Sequence, residues 1–102
     1  MSRGAIPPAA VVDAFREGLA LRAAGYAGRG LRDATVDDAV AIVRGGRVSA
    51  DKLRRMVNWH ARHGAQPREV AARRYASPAR VAWLLWGGDA GKKWARALTR
   101  GA

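Results

Sequence analysis

The chain of 102 residues contains no cysteine. Disulfides, thiolate catalysis and cysteine-based zinc sites are therefore excluded. No uninterrupted apolar run approaches the roughly 20 residues that a membrane-spanning helix needs. The first residues, Met1 to Pro8, also lack the apolar core of a signal peptide. We therefore expect a soluble, intracellular protein with no membrane partner.

Acidic residues are scarce in the second half of the chain. Residues 1–51 carry seven Lys or Arg and six Asp or Glu, whereas residues 52–102 carry twelve and two. All four tryptophans also lie in the second half. A GC-rich genome accounts for part of the arginine excess but not for the shortage of acids. A basic, aromatic half beside a near-neutral half predicts a helical scaffold with one anion-facing surface, and nucleic acid is the commonest polyanion for such a surface.

Strand patterns are also nearly absent, because β-branched residues are sparse and no stretch alternates for long. Glycines, prolines and capping residues divide the chain into helical segments. They are Pro8 to about Ala24, Thr35 to Gly45-Gly46, Ser49 to His63, 67–76, Pro78 to Trp86, and Ala90 to about Arg100 with Asp89 as its cap. We predict an all-α fold, a compact bundle of four to five short helices. A flexible leader (1–7) precedes a single domain over residues 8–100.

Side-chain patterns for catalysis are weak. His60 and His63 lie three apart on one helix, but no third metal ligand is evident, so a packed or capping pair is the better interpretation. Ser49 and Ser77 are predicted helix caps rather than nucleophiles. No glycine-rich loop is followed by the Lys-Ser/Thr of a phosphate-binding loop. We predict no enzymatic activity, catalytic residue, metal, cofactor or small-molecule substrate.

The basic residues carry the functional prediction. On the third helix, the arginines fall on the side opposite Leu53, Met56 and His60, and Lys52 lies on the border between the two sides. For any single cation a solvated surface is the simpler interpretation, whereas the whole set, unbalanced by acids, favours phosphate contact without sequence reading. The predicted nucleic-acid-binding residues are Arg54, Arg55, Arg62, Arg73, Arg74, Arg80, Lys92, Lys93, Arg96 and Arg100.

The stretch from Arg80 to Ala95 reads R-V-A-W-L-L-W-G-G-D-A-G-K-K-W-A. It resembles a motif of a small helical module found in bacteriophage proteins, alone or attached to head and head-maturation proteins. The upstream Arg55-Met56, Trp59 and Ala61-Arg62-His63 match a second motif of that module. The resemblance covers roughly residues 19–96, although 66–74 replace the usual Lys- and Gly-rich loop. It implies phage or prophage origin, a location in the bacterial cytoplasm or in a phage particle, and no established enzymatic activity.

Residues 70–85 are also similar to a helix-turn-helix core, which places such an element near 67–86, followed by a C-terminal helical hairpin. Tyr75 stands where glycine is usual, and the second helix offers only Arg80 to a groove. Base readout needs several polar side chains. Sequence-specific recognition is therefore not expected.

The tryptophan block is expected to be structural. Gly87 and Gly88 allow a tight reversal, and the hairpin can bring Trp83 or Trp86 near Trp94. These rings are expected mainly to build the core, with base stacking as the alternative. We predict non-enzymatic nucleic-acid binding, with DNA rather than RNA as the preferred partner. The first alternative is a phage structural or head-associated protein that uses the apolar 78–86 helix as an interface or associates with itself. The second is a small regulator that binds an acidic host protein.

Overall fold

A computed structural model describes residues 4–63 and 75–100 of the chain. Within these ranges the chain forms five helices and no strand. They are α1 (Ala9–Ala23), α2 (Asp33–Val43), α3 (Ala50–His63), α4 (Pro78–Leu85) and α5 (Gly88–Arg100). The prediction of a small all-α bundle is confirmed.

The predicted helix over 67–76 falls mostly outside the described residues. Residues 64–74, which include Arg73 and Arg74, are not described, and Tyr75 and Ala76 lie in a bend. The first helix of the predicted helix-turn-helix element therefore stays a prediction. Its second helix is α4, which begins at Pro78 as expected.

Side-chain caps and glycines set several helix ends as the sequence indicates. The Ser49 hydroxyl accepts a hydrogen bond from the Lys52 backbone N–H at 3.0 Å. The Ser77 hydroxyl accepts one from Arg80 N–H at 3.1 Å. Gly25 ends α1 and Gly45 follows α2, both in the left-handed region with φ of 95° and 100°. Both serine caps are confirmed.

Two predicted helix starts are wrong. Helix α2 begins at Asp33 rather than Thr35, because the Arg32 carbonyl already accepts from Thr35 N–H at 3.1 Å. Helix α5 begins at Gly88, because the Gly87 carbonyl accepts from Gly91 N–H at 2.8 Å. Asp89 therefore lies inside the first turn of α5 and is not its cap.

Residues 4 and 5, which fall within the predicted leader, contact the turn before α3. The backbones of Ala5 and Val48 exchange two hydrogen bonds of 2.8 Å. Gly4 has a φ of 85°, and a Cβ there would lie 2.7 Å from the Val48 carbonyl oxygen. The close approach of these two backbones joins residues 4–5 to the turn before α3.

The core is centred on α1, which packs against α2, α4 and α5. Its Phe15 is fully buried, together with Leu85 of α4 and Ala95 of α5. Gly18 allows the closest approach of α4, since a Cβ there would lie 2.9 Å from Leu85 Cδ2. One side of α4 is thus covered within the domain by α1.

Helices α3 and α5 run side by side in opposite directions. Near the end of α3, His60 contacts the Trp86 carbonyl just before α5 begins. One turn earlier, Met56 packs so close to Gly91 that a Cβ at residue 91 would lie 3.2 Å from Met56 Cε. The chain does reverse at Gly87, as predicted, but α4 packs mainly on α1 and α5 packs mainly on α3. The C-terminal hairpin is therefore held by its neighbours more than by contacts between its own two helices.

Candidate nucleic-acid interface

Three of the predicted phosphate-binding arginines pair with carboxylates. Arg54 lies 3.9 Å from Asp51, and Arg55 lies 3.0 Å from the same carboxylate. Both pairs follow the helical spacing of three and four residues. Arg80, half-buried in α4, pairs with Glu17 of α1. These partners neutralise part of the positive charge that the sequence assigns to α3 and α4.

The cations of α5 differ, because none of them has a carboxylate partner in the described part of the chain. Lys93, Arg96 and Arg100 are exposed and recur at helical spacing, so they form one stripe. Lys92 lies half-buried beside this stripe, and Asp89 is the only acid of α5. We call these four cations the α5 basic stripe. Arg62 at the end of α3 is likewise exposed and makes no ion pair within residues 4–63 and 75–100.

Lys52 is buried, which the two-faced pattern of α3 does not predict. Its side chain is 4% exposed, and its Nζ lies 3.2 Å from Asp38 Oδ2. The same Nζ lies 4.0 Å from the centre of the Trp86 ring, a cation–π contact. Burial lowers the pKa of Lys52, and the Asp38 carboxylate partly opposes that shift. Lys52 therefore belongs to the interior and not to a phosphate-binding surface.

The tryptophan block packs differently from the prediction. Trp86 stacks on Trp59 of α3, with ring centres 5.9 Å apart and planes 12° apart. Trp59 also contacts His63, with ring centres 4.8 Å apart. Trp94 packs instead against the core, half-buried. A column of side chains thus runs along α3, and we call it the aromatic column. It consists of Lys52, Trp86, Trp59 and His63, and each tryptophan ring in it is covered by its neighbours.

His60 is a packed residue, as predicted. It is 1% exposed, and its Nε2 lies 2.8 Å from the carbonyl oxygen of Trp86. The Trp59 ring meets it edge-on at 5.1 Å. This hydrogen bond ties the end of α3 to the turn at Gly87, where φ is 99°. Among the described residues no three His, Cys, Asp or Glu side chains cluster as metal ligands would.

A groove of about 740 Å³ opens beside the aromatic column. Its walls are the loop before α2, the first turn of α2, one side of α3, and α4. We call it the tryptophan groove. Its charged and aromatic lining residues are Arg32, Arg55, Arg62, His63, Trp59, Trp83 and Trp86. No carboxylate is among the described residues that line it.

Sequence reasoning missed the contribution of the α2 end to this groove. Arg32 occupies the N-cap of α2, and its side chain makes no capping hydrogen bond. Thr35, where the sequence predicts that this helix starts, is 7% exposed and lines the groove. Neither role is visible in the local sequence, because both depend on how the loop after α1 packs against α4. Gly28 in that loop closely approaches Pro78, with a built Cβ 3.0 Å from Pro78 Cβ.

Comparisons with known proteins add no relative. No protein-family model matches the chain, and neither a curated protein nor a solved structure shows significant similarity to it. In the described residues no helix is both long enough and apolar enough to cross a membrane.

Proposed function

We propose that the protein binds nucleic acid without enzymatic activity, through phosphate contacts that do not read sequence. The α5 basic stripe supports this most strongly, because its four cations lie on one helix and pair with no carboxylate in the described part of the chain. The formal net charge of +11 adds long-range attraction to a polyanion. DNA is the preferred partner in this proposal.

The composition of the stripe favours phosphate rather than base contact. Lys and Arg hold phosphate oxygens by charge and by forked hydrogen bonds. The stripe contains no Asn or Gln that would pair with base edges in a groove. Helix α4, the second helix of the predicted helix-turn-helix, presents few polar groups, and its Arg80 is paired with Glu17. These features support sequence-independent binding.

We also propose a phage or prophage setting, on the resemblance of residues 55–63 and 80–95 to the helical phage module. The alternative of a head-associated interface protein drew on the apolar helix at 78–86. In the structure one side of that helix packs on α1, and its Val81, Leu84 and Leu85 are buried. Nucleic-acid binding is therefore the function that the described surface supports best.

The test compares two triple variants that remove equal charge. One is Lys93→Gln, Arg96→Gln and Arg100→Gln in the stripe. The control is Arg22→Gln, Arg44→Gln and Arg47→Gln, all exposed and outside the stripe. Each is titrated into a labelled DNA duplex at several salt concentrations, with fluorescence anisotropy as the readout.

We expect the stripe variant to flatten the log–log salt dependence by about 2 to 3, since each phosphate contact contributes about 0.9 to the slope. The slope for the control variant should flatten much less, because this variant changes only the net charge. Equal losses in the two variants would assign the binding to overall charge. An absence of duplex and single-strand binding by the wild-type chain at low salt would refute the proposal.

A further inference from the structure

We propose that the tryptophan groove holds one unpaired nucleotide of a single-stranded nucleic acid, with its phosphate at Arg32 and Arg62 and its base against the tryptophan wall. This inference rests on the proposed function and specifies which form of nucleic acid the groove selects. It concerns a different surface from the α5 basic stripe, since none of the stripe residues lines the groove.

The charge of the groove fits a phosphate. Arg32 and Arg62 both line it, and neither makes an ion pair in the described part of the chain. Arg55 also lines it but is held by Asp51 at 3.0 Å. Because no carboxylate is among the described lining residues, an anion entering the groove meets two available guanidinium groups. Forked hydrogen bonds from such groups match the oxygens of a phosphodiester.

The start of α2 adds donors at the same place. The side chain of Arg32, its N-cap residue, makes no capping hydrogen bond, and the first N–H groups of a helix have no partner within the helix. That end of a helix carries partial positive charge and favours phosphate. The Asp33 carboxylate lies in the same turn, but it is exposed and is not part of the lining.

Thr35 lies at the same end of the groove. It is 7% exposed and is among the residues that line it. A phosphate oxygen at the start of α2 would accept a hydrogen bond from its hydroxyl.

The opposite wall fits a base. Trp59 and Trp86 stack on each other and both line the groove, and Trp83 contributes a half-buried ring. Aromatic rings pair with one another in stacked or edge-to-face arrangements. The volume of about 740 Å³ lies within the range of about 300–1,000 Å³ of ligand-binding clefts. The groove therefore has room for a base together with its sugar.

A single strand fits this site better than a duplex. A base in a duplex is stacked and paired, and bringing it into a cleft costs a few kcal/mol. The bases of a single strand can enter without unpairing. A polymer also fits better than a free nucleotide, because a net charge of +11 gains most from a chain of phosphates.

The first experiment uses the full chain with a labelled oligothymidylate of about eight nucleotides and a labelled DNA hairpin duplex. The groove variant is Arg32→Gln with Arg62→Gln, and the control is Arg22→Gln with Arg44→Gln, which removes the same charge elsewhere. We expect the groove variant to bind the single strand about a hundredfold more weakly, as expected for the loss of two charge-assisted hydrogen bonds. The affinity of the groove variant for the duplex, and that of the control variant for the single strand, should change much less.

A second variant, Gly30→Phe, tests the space rather than the charge. Gly30 lines the groove, and a Cβ there meets no atom within 4 Å. The added ring should fill the groove and weaken single-strand binding while duplex binding by the α5 basic stripe persists. Circular dichroism shows whether each variant keeps its helices.

The outcomes separate the two proposals. Equal single-strand losses in the groove and control variants, with duplex binding intact, would overturn the groove assignment alone. Thymidine monophosphate competing at the same concentration as the oligothymidylate would overturn the polymer assignment. Failure of the wild-type chain to bind either nucleic acid at low salt would overturn both. A fall in tryptophan emission with the single strand but not with the duplex would support the groove.

Discussion

Helices α3 and α5 lie side by side and both carry a row of cations. In the described residues, carboxylates pair with Lys52, Arg54 and Arg55 of α3 but with no cation of α5. Asp51 pairs with Arg54 and Arg55, and Asp38 of α2 reaches Lys52 at 3.2 Å. The cations of the α5 basic stripe have no such partner in the described residues. Two rows of similar charge in the sequence therefore differ in the charge that each can offer to a polyanion.

The first test concerns the packing contact between α3 and α5. Met56 is fully buried where α3 meets Gly87 and Gly91 of α5. Met56→Ala should lower the free energy of unfolding by about 2 to 5 kcal/mol, because it removes buried apolar volume and leaves a cavity. Urea denaturation followed by circular dichroism measures this change.

The matched control for that loss is Asn58→Ala, an exposed position on the same helix. It should stay within about 0.5 kcal/mol of the wild type. Similar losses in Met56→Ala and Asn58→Ala would mean that the α3–α5 contact does not contribute as the structure indicates.

The second test concerns Lys52, the buried lysine of α3. Burial lowers the pKa of Lys52 below its ordinary value of 10.5, so the unfolded chain holds this proton more tightly than the folded chain. Stability should therefore rise with pH between the folded pKa and 10.5. Below that window the protonated lysine carries the full desolvation cost, partly offset by Asp38.

The readout is the free energy of unfolding of the wild type minus that of Lys52→Met, measured from neutral pH to the unfolded pKa. Methionine keeps the length of the side chain and removes the charge. The difference should increase as pH rises through the window. A difference that is flat or falls would show that the folded pKa of Lys52 is not lowered.

The third test, with the smallest expected effect, removes the carboxylate that pairs with two surface arginines of α3. Asp51→Asn removes the only ion-pair partner seen for Arg54 and one of the two partners of Arg55. DNA affinity should rise about threefold with a salt slope steeper by about 1, as for one added phosphate contact. Stability should fall by only about 0.5 kcal/mol, since the pairs are exposed.

Asp37→Asn is the control for that substitution, because it removes one negative charge from an exposed residue with no ion pair in the described residues. Its affinity should rise less than that of Asp51→Asn. An equal rise in both variants would attribute the gain to net charge.

The sequence predicted most helices because local signals set their ends. The signals are the caps Ser49 and Ser77 and the glycines after α1 and α2. They act within a few residues, so they can be recognised from the local sequence alone. The start of α2 was missed because Thr35 has the side chain of a cap and is instead buried by packing. Asp89 was missed as a first-turn residue because Gly87 already begins the hydrogen bonding of α5.

The site was less predictable, because pairing depends on both local and distant neighbours. The Asp51 pairs follow helical spacing and could have been anticipated from the sequence. The pairs Lys52–Asp38 and Arg80–Glu17 join different helices and have no local signal. The tryptophan groove likewise needs the loop before α2, α3 and α4 in one place, which no single motif encodes.

The most direct test of the account compares equal charge removed from the two neighbouring helices. Lys93→Gln with Arg96→Gln changes α5, and Arg54→Gln with Arg55→Gln changes α3. The salt dependence of duplex binding should flatten by about 2 for the α5 variant and by less than about 1 for the α3 variant. Equal flattening, or a greater effect in α3, would contradict the claim that the unpaired cations of α5 form the phosphate-binding surface.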